Sequence, residues 1–378
     1  MIIIERRLFS KFGHEPLQIN SIKKMINYKD TFILTCKNQN IKVKKNKTYP
    51  ILLEYDRKND GKESFDYLMD NAKAIKSFLE KNDIINKSIL IPSARIAELS
   101  IIVLLLDLLP VDKYPTIHIR ILNKGYLDNI IPEIKKKFIN LVKKQNIVLY
   151  AETHELVRAL DIQYRISSSM LLLPCLIKKK TIYSPKKNLG NFTIGCLGSP
   201  RSNKGISKIP LIIKELRKIL KHTQIEINVR FLVQIGNLKI RKKLFFLLKD
   251  FLSRYVSRRV KVEILYDDFN NDDFIKTIKK VDIFLLPYSL QSYQFAGSGF
   301  IIDGTMLNKP IVYTNGIAMQ DFLNRGNAIS ADTPTEFAYA LKKIILDYEM
   351  YQIQSSEVSK LFENQFKISQ KIINSLIK

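Results

Sequence analysis

Two glycine-containing segments of the sequence combine residue types that suit phosphate binding. In the first, Gly297-Ser298-Gly299 precedes an apolar helical stretch that contains Asp303. Small residues at a helix start let backbone N–H groups approach a phosphate, and the helix dipole favours its negative charge. Asp303, just over one turn into the helix, is placed to accept hydrogen bonds from ribose hydroxyls. The alternative is a tight turn followed by a solvated aspartate.

The second segment, Gly198 to Gly205, follows an apolar strand and precedes a helix. It carries Arg201, which can bind a phosphate through two hydrogen bonds, and Lys204, which supplies a point charge. The pair suits a diphosphate, and the alternative is an exposed basic loop in a lysine-rich chain. Two such loops in the same half of the chain favour the phosphate interpretation.

Three residues of the N-terminal half are candidates for catalysis. Glu152 and His154 lie where a predicted strand ends and could form an acid/base pair. The alternative is that they belong to an exposed helix start. His14 lies in a loop after the first strand and could contact donor or acceptor, or could be a helix-capping or surface histidine.

The elements that must position these residues alternate between short apolar runs and amphipathic ones. Strands are predicted at 2–4, 31–35, 49–55, 88–92, 116–121, 146–150, 170–174, 192–197, 226–234, 260–265, 283–288 and 310–314. Helices are predicted at 63–81, 95–108, 126–144, 206–222, 238–256, 272–281, 299–307, from the capping box Thr333–Glu336 to 346, and at 356–377.

This alternation predicts an α/β protein with two doubly wound parallel sheets, which are two Rossmann-like domains facing a cleft. We expect an N-terminal domain over residues 1–180, a C-terminal domain over 190–350, and a last helix over 351–378 that returns to the N-terminal domain. Ligands of such sheets bind at the carboxyl ends of the strands.

Composition narrows the class of protein. Of 378 residues, 46% are hydrophobic and 26% charged, which excludes a disordered or fibrous chain. Lys and Arg number 62 against 36 Asp and Glu, and the net charge of +26 favours anionic partners such as nucleotides or an acidic membrane surface. The basic residues between Lys239 and Lys261 could contact such a surface or be a solvated face. No nucleic-acid-binding signature accompanies them, so nucleic acid is disfavoured.

The cysteines and the apolar runs bear on compartment. The three cysteines lie far apart without a CxxC pair, which disfavours a disulfide framework or a zinc site and favours a reducing compartment. The N-terminal apolar run is too short for a signal peptide, and the run Ile101–Leu109 is too short for a membrane span. We expect a cytoplasmic protein, with peripheral attachment to the inner face of the membrane as a further expectation.

Several of these motifs resemble the C-terminal domain of GT-B glycosyltransferases, particularly glycosyltransferase family four. The motifs are Gly198…Lys204-Gly205, Asp282–Pro287, Asp303–Val312 and Arg325–Ser330, and they span roughly residues 190–350. Gly13-His14-Glu15 is similar to the glycine loop that the family has near its acceptor. The resemblance implies transfer of a sugar from a UDP- or GDP-sugar to a glycan or lipid-linked acceptor, as in bacterial surface polysaccharide synthesis, with no bound metal or other cofactor. It implies that the site comprises Gly13, Arg201, Lys204, Gly297, Ser298, Gly299 and Asp303 for the donor, and His14, Glu152 and His154 for catalysis.

The sequence departs from the family pattern at specific positions. The family commonly has two acids spaced E-x7-E beside its phosphate loop; Asp303 can serve as the second, but Phe295 stands in the first position. Ser199 stands where the family has an arginine, so Arg201 must substitute. Many relatives place a catalytic histidine after an N-domain strand, whereas His118 falls within a strand, where packing is expected.

Two other classes of function stay open on these residues. Nucleotide-sugar 2-epimerases use the same scaffold and a Ser-Gly phosphate loop, but they would turn over donor without an acceptor. A catalytically silent protein that binds glycan or an anionic surface is favoured by the missing first acid.

Overall fold

The computed structural model describes residues 1–8, 14–26, 31–38, 47–174, 186, 189–198, 201–223, 226–235, 259–266 and 271–376. The chain divides into two compact units. The first comprises Met1–Ile177 together with Gln365–Lys378, and the second comprises Lys178–Asn364.

The first unit is a parallel sheet with helices along its connections. Its seven strands are β1 (Ile2–Ile4), β2 (Phe32–Cys36), β3 (Lys47–Leu52), β4 (Ile89–Ala94), β5 (Ile117–Ile121), β6 (Ile147–Ala151) and β7 (Ser169–Met170), in the order β3-β2-β1-β4-β5-β6-β7. Its helices are α1 (His14–Met25), α2 (Phe65–Lys81), α3 (Ile96–Asp107), α4 (Gly125–Asp128), α5 (Pro132–Lys143) and α6 (His154–Tyr164).

The core of this unit explains why several segments read as continuous apolar runs. β1 is buried along its whole length. It pairs at both edges, with β2 and β4, as a central strand of a parallel sheet whose two faces are covered. α3 is buried from Ala97 to Leu106, which accounts for its lack of an amphipathic period. Ile373 and Leu376, near the end of the last helix, belong to the same core cluster as Ile3 and Ile33.

The second unit repeats the architecture. Its six parallel strands are β8 (Asn191–Cys196), β9 (Asn228–Gln234), β10 (Val260–Leu265), β11 (Ile283–Leu286), β12 (Ile311–Thr314) and β13 (Ala328–Ala331), in the order β10-β9-β8-β11-β12-β13. Its helices are α7 (Ile209–Lys221), α8 (Asn271–Lys280), α9 (Leu290–Tyr293), α10 (Gly299–Met306), α11 (Gln320–Leu323) and α12 (Pro334–Leu346). α13 (Tyr348–Ser375) continues from this unit into the first.

Both sheets have a switch point, a pair of neighbouring strands from which the chain winds outward in opposite directions. It lies between β1 and β4 in the first unit and between β8 and β11 in the second. In doubly wound sheets the crevice at the carboxyl ends of these two strands is the usual place for a ligand. We therefore expect ligand sites at the carboxyl ends of β1 and β4 and of β8 and β11.

The α/β class and the two parallel sheets are confirmed, with differences in some elements. The single helix predicted over 126–144 is two helices, because Pro132 occupies the first turn of α5 and Ile131 before it has a non-helical ψ of 131°. The capping box at Thr333 and Glu336 is confirmed. α1 and β13 were absent from the sequence prediction, and the helix predicted over 238–256 lies outside the described residues. No helix in the described part of the chain is long and apolar enough to cross a membrane.

Candidate functional site

The loop after β8 begins with a backbone conformation of positive φ that only glycine adopts readily. Gly198 has φ +101°, and its N–H donates to the side-chain oxygen of Gln234, at the end of β9, over 2.7 Å. A β-carbon on Gly198 would lie 2.7 Å from Nζ of Lys204 and 2.5 Å from the ring of Phe300. Glycine is therefore required both for the turn and for the close approach of the lysine.

The same loop is fastened to the end of β11. Ser202–Lys204 form a short 3-10 turn that ends at Gly205. A β-carbon on Gly205 would lie 1.8 Å from the carbonyl oxygen of Pro287. The backbone N–H of Ser289 donates to the carbonyl of Asn203 over 2.8 Å. These contacts fix the basic loop against the carboxyl end of the neighbouring strand.

Lys204 is held among aromatic rings. Its Nζ lies 5.3 Å from the ring centroid of Phe300 and 5.9 Å from that of Tyr288, within the range of cation–π attraction. Burial, together with the charge of Arg201, lowers the pKa of Lys204 to about 8. Within the described part of the chain neither Lys204 nor Arg201 forms an ion pair with a carboxylate, although 14 other lysines and arginines do.

The start of α10 lies beside these cations. Ser298 is the N-cap residue, and its Oγ accepts a hydrogen bond from the N–H of Phe300 over 3.3 Å and donates one to the hydroxyl of Tyr288 over 3.4 Å. Asp303 is buried in the second turn and lies near enough to Tyr288 that its charge contributes to raising the pKa of that phenol, to which burial contributes most. The N–H of Ser298 donates to the sulfur of Met319 over 3.3 Å.

A small cavity marks the centre of this arrangement. Its volume is about 20 Å³, which is room for a single water molecule. Residues from the ends of β8, β9 and β11, from the loop after β8 and from the start of α7 line it: Cys196, Leu197, Gly198, Lys204, Ile206, Ile209, Gln234, Leu285, Pro287 and Tyr288. The second unit therefore places two cations, a helix N-terminus and a left-handed glycine at its switch point.

The donor-site residues predicted in the C-terminal half thus come together. Lys204, Ser298 and Asp303 all surround Tyr288 or Phe300, and Gly297 and Gly299 flank the N-cap serine. Arg201 is exposed and close enough to Lys204 to lower its pKa. The sequence did not single out Gln234, Tyr288 or Phe300, since a glutamine ending a strand and aromatics near a loop are ordinary in any core.

The residues predicted in the N-terminal half lie at ends of elements of the first unit. His14 is the first residue of α1, and Gly13 lies outside the described residues. Glu152 follows β6, and His154 is the first residue of α6. Their catalytic roles stay predictions.

Glu152 has a clear partner in the structure. Nη2 of Arg120, a fully buried side chain, donates to its Oε1 over 2.8 Å. Arg120 also donates to the carbonyls of Leu171 and Pro92 over 2.8 and 3.0 Å. These hydrogen bonds connect the ends of β4, β5 and β6 with the segment after β7, so the pair has a structural role.

His118, which the sequence placed within a strand, packs as expected there. It is 8% exposed, its Nδ1 lies 3.1 Å from the hydroxyl of Tyr150, and burial lowers its pKa to about 4. Such a histidine is neutral at physiological pH.

A second group of charged side chains, at the switch point of the first unit, was not assigned a role from the sequence. It includes Glu5, Arg6 and Arg7 directly after β1, and Arg95 directly after β4. The signal that could have found it is the sudden change from apolar to charged residues where two neighbouring strands end.

Comparison with known proteins supports the fold. No protein-family model matches the sequence, and no curated protein does. Among solved structures, sucrose-phosphate synthase from Thermosynechococcus elongatus is 10% identical, with a TM-score of 0.72 over 98% of this chain and 96% of that one. HepE of Anabaena in complex with UDP is 11% identical, with a TM-score of 0.67 over 98% and 97% of the two chains.

A third similar structure is described as trehalose-6-phosphate from E. coli bound with UDP-2-fluoro glucose. It is 12% identical, with a TM-score of 0.66 over 100% of this chain and 98% of that one. Similarity along almost the full length of each chain, together with the two parallel sheets, shows that this chain has a GT-B-type fold.

Proposed function

We propose that this protein is a glycosyltransferase that uses a nucleoside diphosphate sugar as donor. The observation that carries the proposal is the pair Arg201 and Lys204, which have no carboxylate partner among the described residues and lie at the switch point beside the N-terminus of α10. Burying the charged form of Lys204 without a counter-ion destabilises the protein, as its lowered pKa indicates. Binding of an anion offsets that cost. A diphosphate supplies that anion and can contact both side chains.

The neighbouring groups suit the rest of a nucleotide. Asp303 and the hydroxyl of Tyr288 lie on the α10 side of the site, where they can accept and donate hydrogen bonds. Solved structures of the same fold were obtained with UDP and with UDP-2-fluoro glucose, which supports a nucleotide-sugar donor. The known fold alone does not carry the proposal, since one fold serves several activities.

In this reaction Arg201, Lys204 and the N-terminus of α10 would stabilise the leaving group. In the transfer, the bond from the sugar's anomeric carbon to the diphosphate oxygen breaks and a bond from that carbon to the acceptor hydroxyl oxygen forms. The hydroxyl proton is released to solvent, so the products are the glycoside, the nucleoside diphosphate and one proton. Negative charge builds on the departing diphosphate. Fixed cations and the N-terminus of α10 stabilise that charge with little reorganisation.

The donor is a UDP- or GDP-sugar, and the transfer needs no bound metal because Arg201 and Lys204 supply the positive charge. The acceptor is a glycan or a lipid-linked glycan of the kind used in bacterial surface polysaccharide synthesis. The sequence motifs of the second unit resemble those of glycosyltransferase family four. The net charge of +26 favours electrostatic attachment to an anionic membrane surface.

Thermal shift tests the proposal. The Tm of the unmodified full chain and of its Lys204→Ala variant is measured without nucleotide and with UDP, GDP, ADP, CMP or dTDP. The matched control is Lys218→Ala, an exposed lysine of α7 paired with Glu215 in the same unit. We expect one nucleoside diphosphate to raise the Tm of the protein and of the control variant but not of Lys204→Ala. Absence of any shift for all five nucleotides contradicts the proposal.

A further inference from the structure

The first unit has a group of charged side chains at its own switch point. The loop after β1, the first turn of α1, the segment after β3 and the start of α3 all contribute to it. Its members are Glu5, Arg6, Arg7, Glu15, Asp60, Glu63, Arg95 and Glu98, and we call them the charged cluster.

The inner part of the charged cluster is a buried network. Arg6 pairs with Glu63 over 3.0 Å and with Glu98 over 3.5 Å, and Arg7 pairs with Glu5 over 3.1 Å. All five side chains are at most 7% exposed. Such pairing offsets the cost of burying the charges, and it fixes the loops that follow β1 and β3 relative to the start of α3.

The outer part reaches solvent and forms a rim. Arg95 makes an ion pair with Asp60, and its Nη2 lies 3.9 Å from Oε1 of Glu15. The exposed fractions of the Arg95, Glu15 and Asp60 side chains are 31%, 23% and 17%. Tyr126 lies close to them, since burial and the charge of Arg95 both act on its pKa. The rim therefore presents carboxylates, a guanidinium group and a phenol together.

Directly behind the rim, a buried donor has no acceptor. Nη1 of Arg7 makes no hydrogen bond within the described part of the chain, although this arginine is only 4% exposed. Nε of Arg7 lies 4.0 Å from Oε1 of Glu15, so its guanidinium group adjoins the rim. Nε of Arg95 is buried and without a hydrogen bond as well. Leaving a buried N–H unpaired is unfavourable, so a ligand oxygen at this position would be favoured.

The charge balance distinguishes between kinds of ligand oxygen. The charged cluster holds five carboxylates against three guanidinium groups, which gives a net charge of −2 when all are ionised. Burial raises the pKa of Glu5, and with that carboxyl neutral the balance is still −1. A phosphate dianion would be repelled here, whereas Arg201 and Lys204 in the second unit would attract it.

A hydroxyl group meets both kinds of partner on the rim. It donates its proton to a carboxylate such as Glu15 or Asp60, and its oxygen accepts from a guanidinium N–H. Several adjacent hydroxyls are needed to contact the carboxylates and the arginines at the same time. Sugars have this arrangement, and the ring of Tyr126 adds an apolar surface.

We propose that the rim of the charged cluster binds an uncharged sugar and disfavours a phosphorylated one. This inference rests on the proposed function, under which the ligand at this edge is the acceptor. The sugar unit held here thus carries hydroxyls only, in contrast to an acceptor bound through a phosphate.

The test measures binding of matched pairs of sugars to the full chain without nucleotide. Saturation-transfer NMR titrations compare glucose, mannose and N-acetylglucosamine with their 6-phosphates at neutral pH. We expect the neutral member of at least one pair to bind about tenfold more tightly than its phosphate, which corresponds to about 1.4 kcal/mol. Tighter or equal binding of the phosphates, or no binding of any neutral sugar, overturns the proposal.

Variants assign the binding to the rim. Glu15→Gln and Asp60→Asn each remove one carboxylate charge and should weaken binding of the neutral sugar about tenfold. Asp107→Asn, at an exposed ion pair with Lys137 in the same unit, is the matched control and should not change it. Unchanged binding in both rim variants, with Tm values near that of the unmodified protein, overturns the assignment.

A nucleotide titration keeps the two proposals separable. Lys204→Ala should lose binding of the nucleoside diphosphate and keep binding of the neutral sugar. Sugar binding in a protein that binds no nucleotide would contradict the proposed function alone. Nucleotide binding without any binding of neutral sugars would contradict the inference about the rim alone.

Discussion

The backbone of Gly205 lies so close to the carbonyl oxygen of Pro287 that a β-carbon would be only 1.8 Å from it. Gly205 has φ +67°, at the end of the 3-10 turn that carries Lys204. Pro287 follows β11, the strand beside β8. This one contact sets the distance between the basic loop and the second strand of the switch point, so it bears on every cation–anion contact proposed for the site.

Replacing Gly205 should destabilise the protein by more than its positive φ alone would explain. We expect Gly205→Ala to lower the free energy of unfolding by at least about 3 kcal/mol, since strain of about 1–3 kcal/mol adds to a steric clash with backbone. Gly326→Ala is the matched control, because Gly326 has φ +77° but its nearest neighbour is a flexible side chain at 3.6 Å. Urea unfolding measures both, and equal losses would contradict the role assigned to the Pro287 contact.

Binding of the diphosphate should depend on pH through Lys204. The pKa of this lysine is about 8 in the free protein, and a bound anion favours its charged form and raises that pKa. Affinity should therefore decrease as pH rises above about 8, and binding near pH 8 should be accompanied by proton uptake. Calorimetry in buffers of different ionisation enthalpy measures the uptake. Proton release at this pH would contradict the assignment.

The same lowered pKa predicts that Lys204 destabilises the free protein at neutral pH. The unfolded chain, with a lysine pKa near 10.5, holds more protons than the folded chain between about pH 8 and 10.5, so this residue makes stability rise with pH across that window. Lys204→Met should raise the Tm at pH 7 by a few degrees and reduce that slope, while nucleotide binding is lost. A lower Tm in the variant would show that the cation is stabilising there.

Glu152 offers a test between a structural and a catalytic role. Its partner Arg120 is fully buried, and removing one charge from a buried pair is strongly destabilising. We expect Glu152→Gln to lower the free energy of unfolding by about 2–4 kcal/mol, whereas Asp107→Asn, at an exposed pair, should change it by less than about 1 kcal/mol. Chemical denaturation measures both. Full stability with abolished sugar transfer would instead support catalysis by Glu152.

Much of the fold could be predicted because the apolar runs correspond to strands buried on both faces. β1, β4 and β11 are apolar runs of this kind, and each pairs with a neighbour on either side. The prediction was wrong for the helix over 126–144, where a proline in the first turn of α5 mattered more than the continuing amphipathic pattern. α1 was missed because only one of its first five residues, Leu17, is hydrophobic and because the helix lacks a strong amphipathic period.

The candidate site was predictable where glycines and cations occur next to strand ends, as at Gly198, Arg201 and Lys204. The aromatic surroundings of Lys204 were not, because Phe300 and Tyr288 come from different elements that only the sheet order brings together. The charged cluster was missed for the same reason. Arg6 and Glu98 are far apart in sequence and meet only because β1 and β4 are neighbours.

The most direct test of the central claim separates the diphosphate from the rest of the nucleotide. Isothermal titration calorimetry with the nucleoside diphosphate and with the corresponding nucleoside would be performed on the unmodified protein, Lys204→Ala and Lys218→Ala. The account predicts that Lys204→Ala weakens binding of the diphosphate at least about tenfold, leaves binding of the nucleoside unchanged, and is not reproduced by Lys218→Ala. Equal affinity of all three proteins for the diphosphate would contradict the claim that Lys204 is part of a diphosphate site.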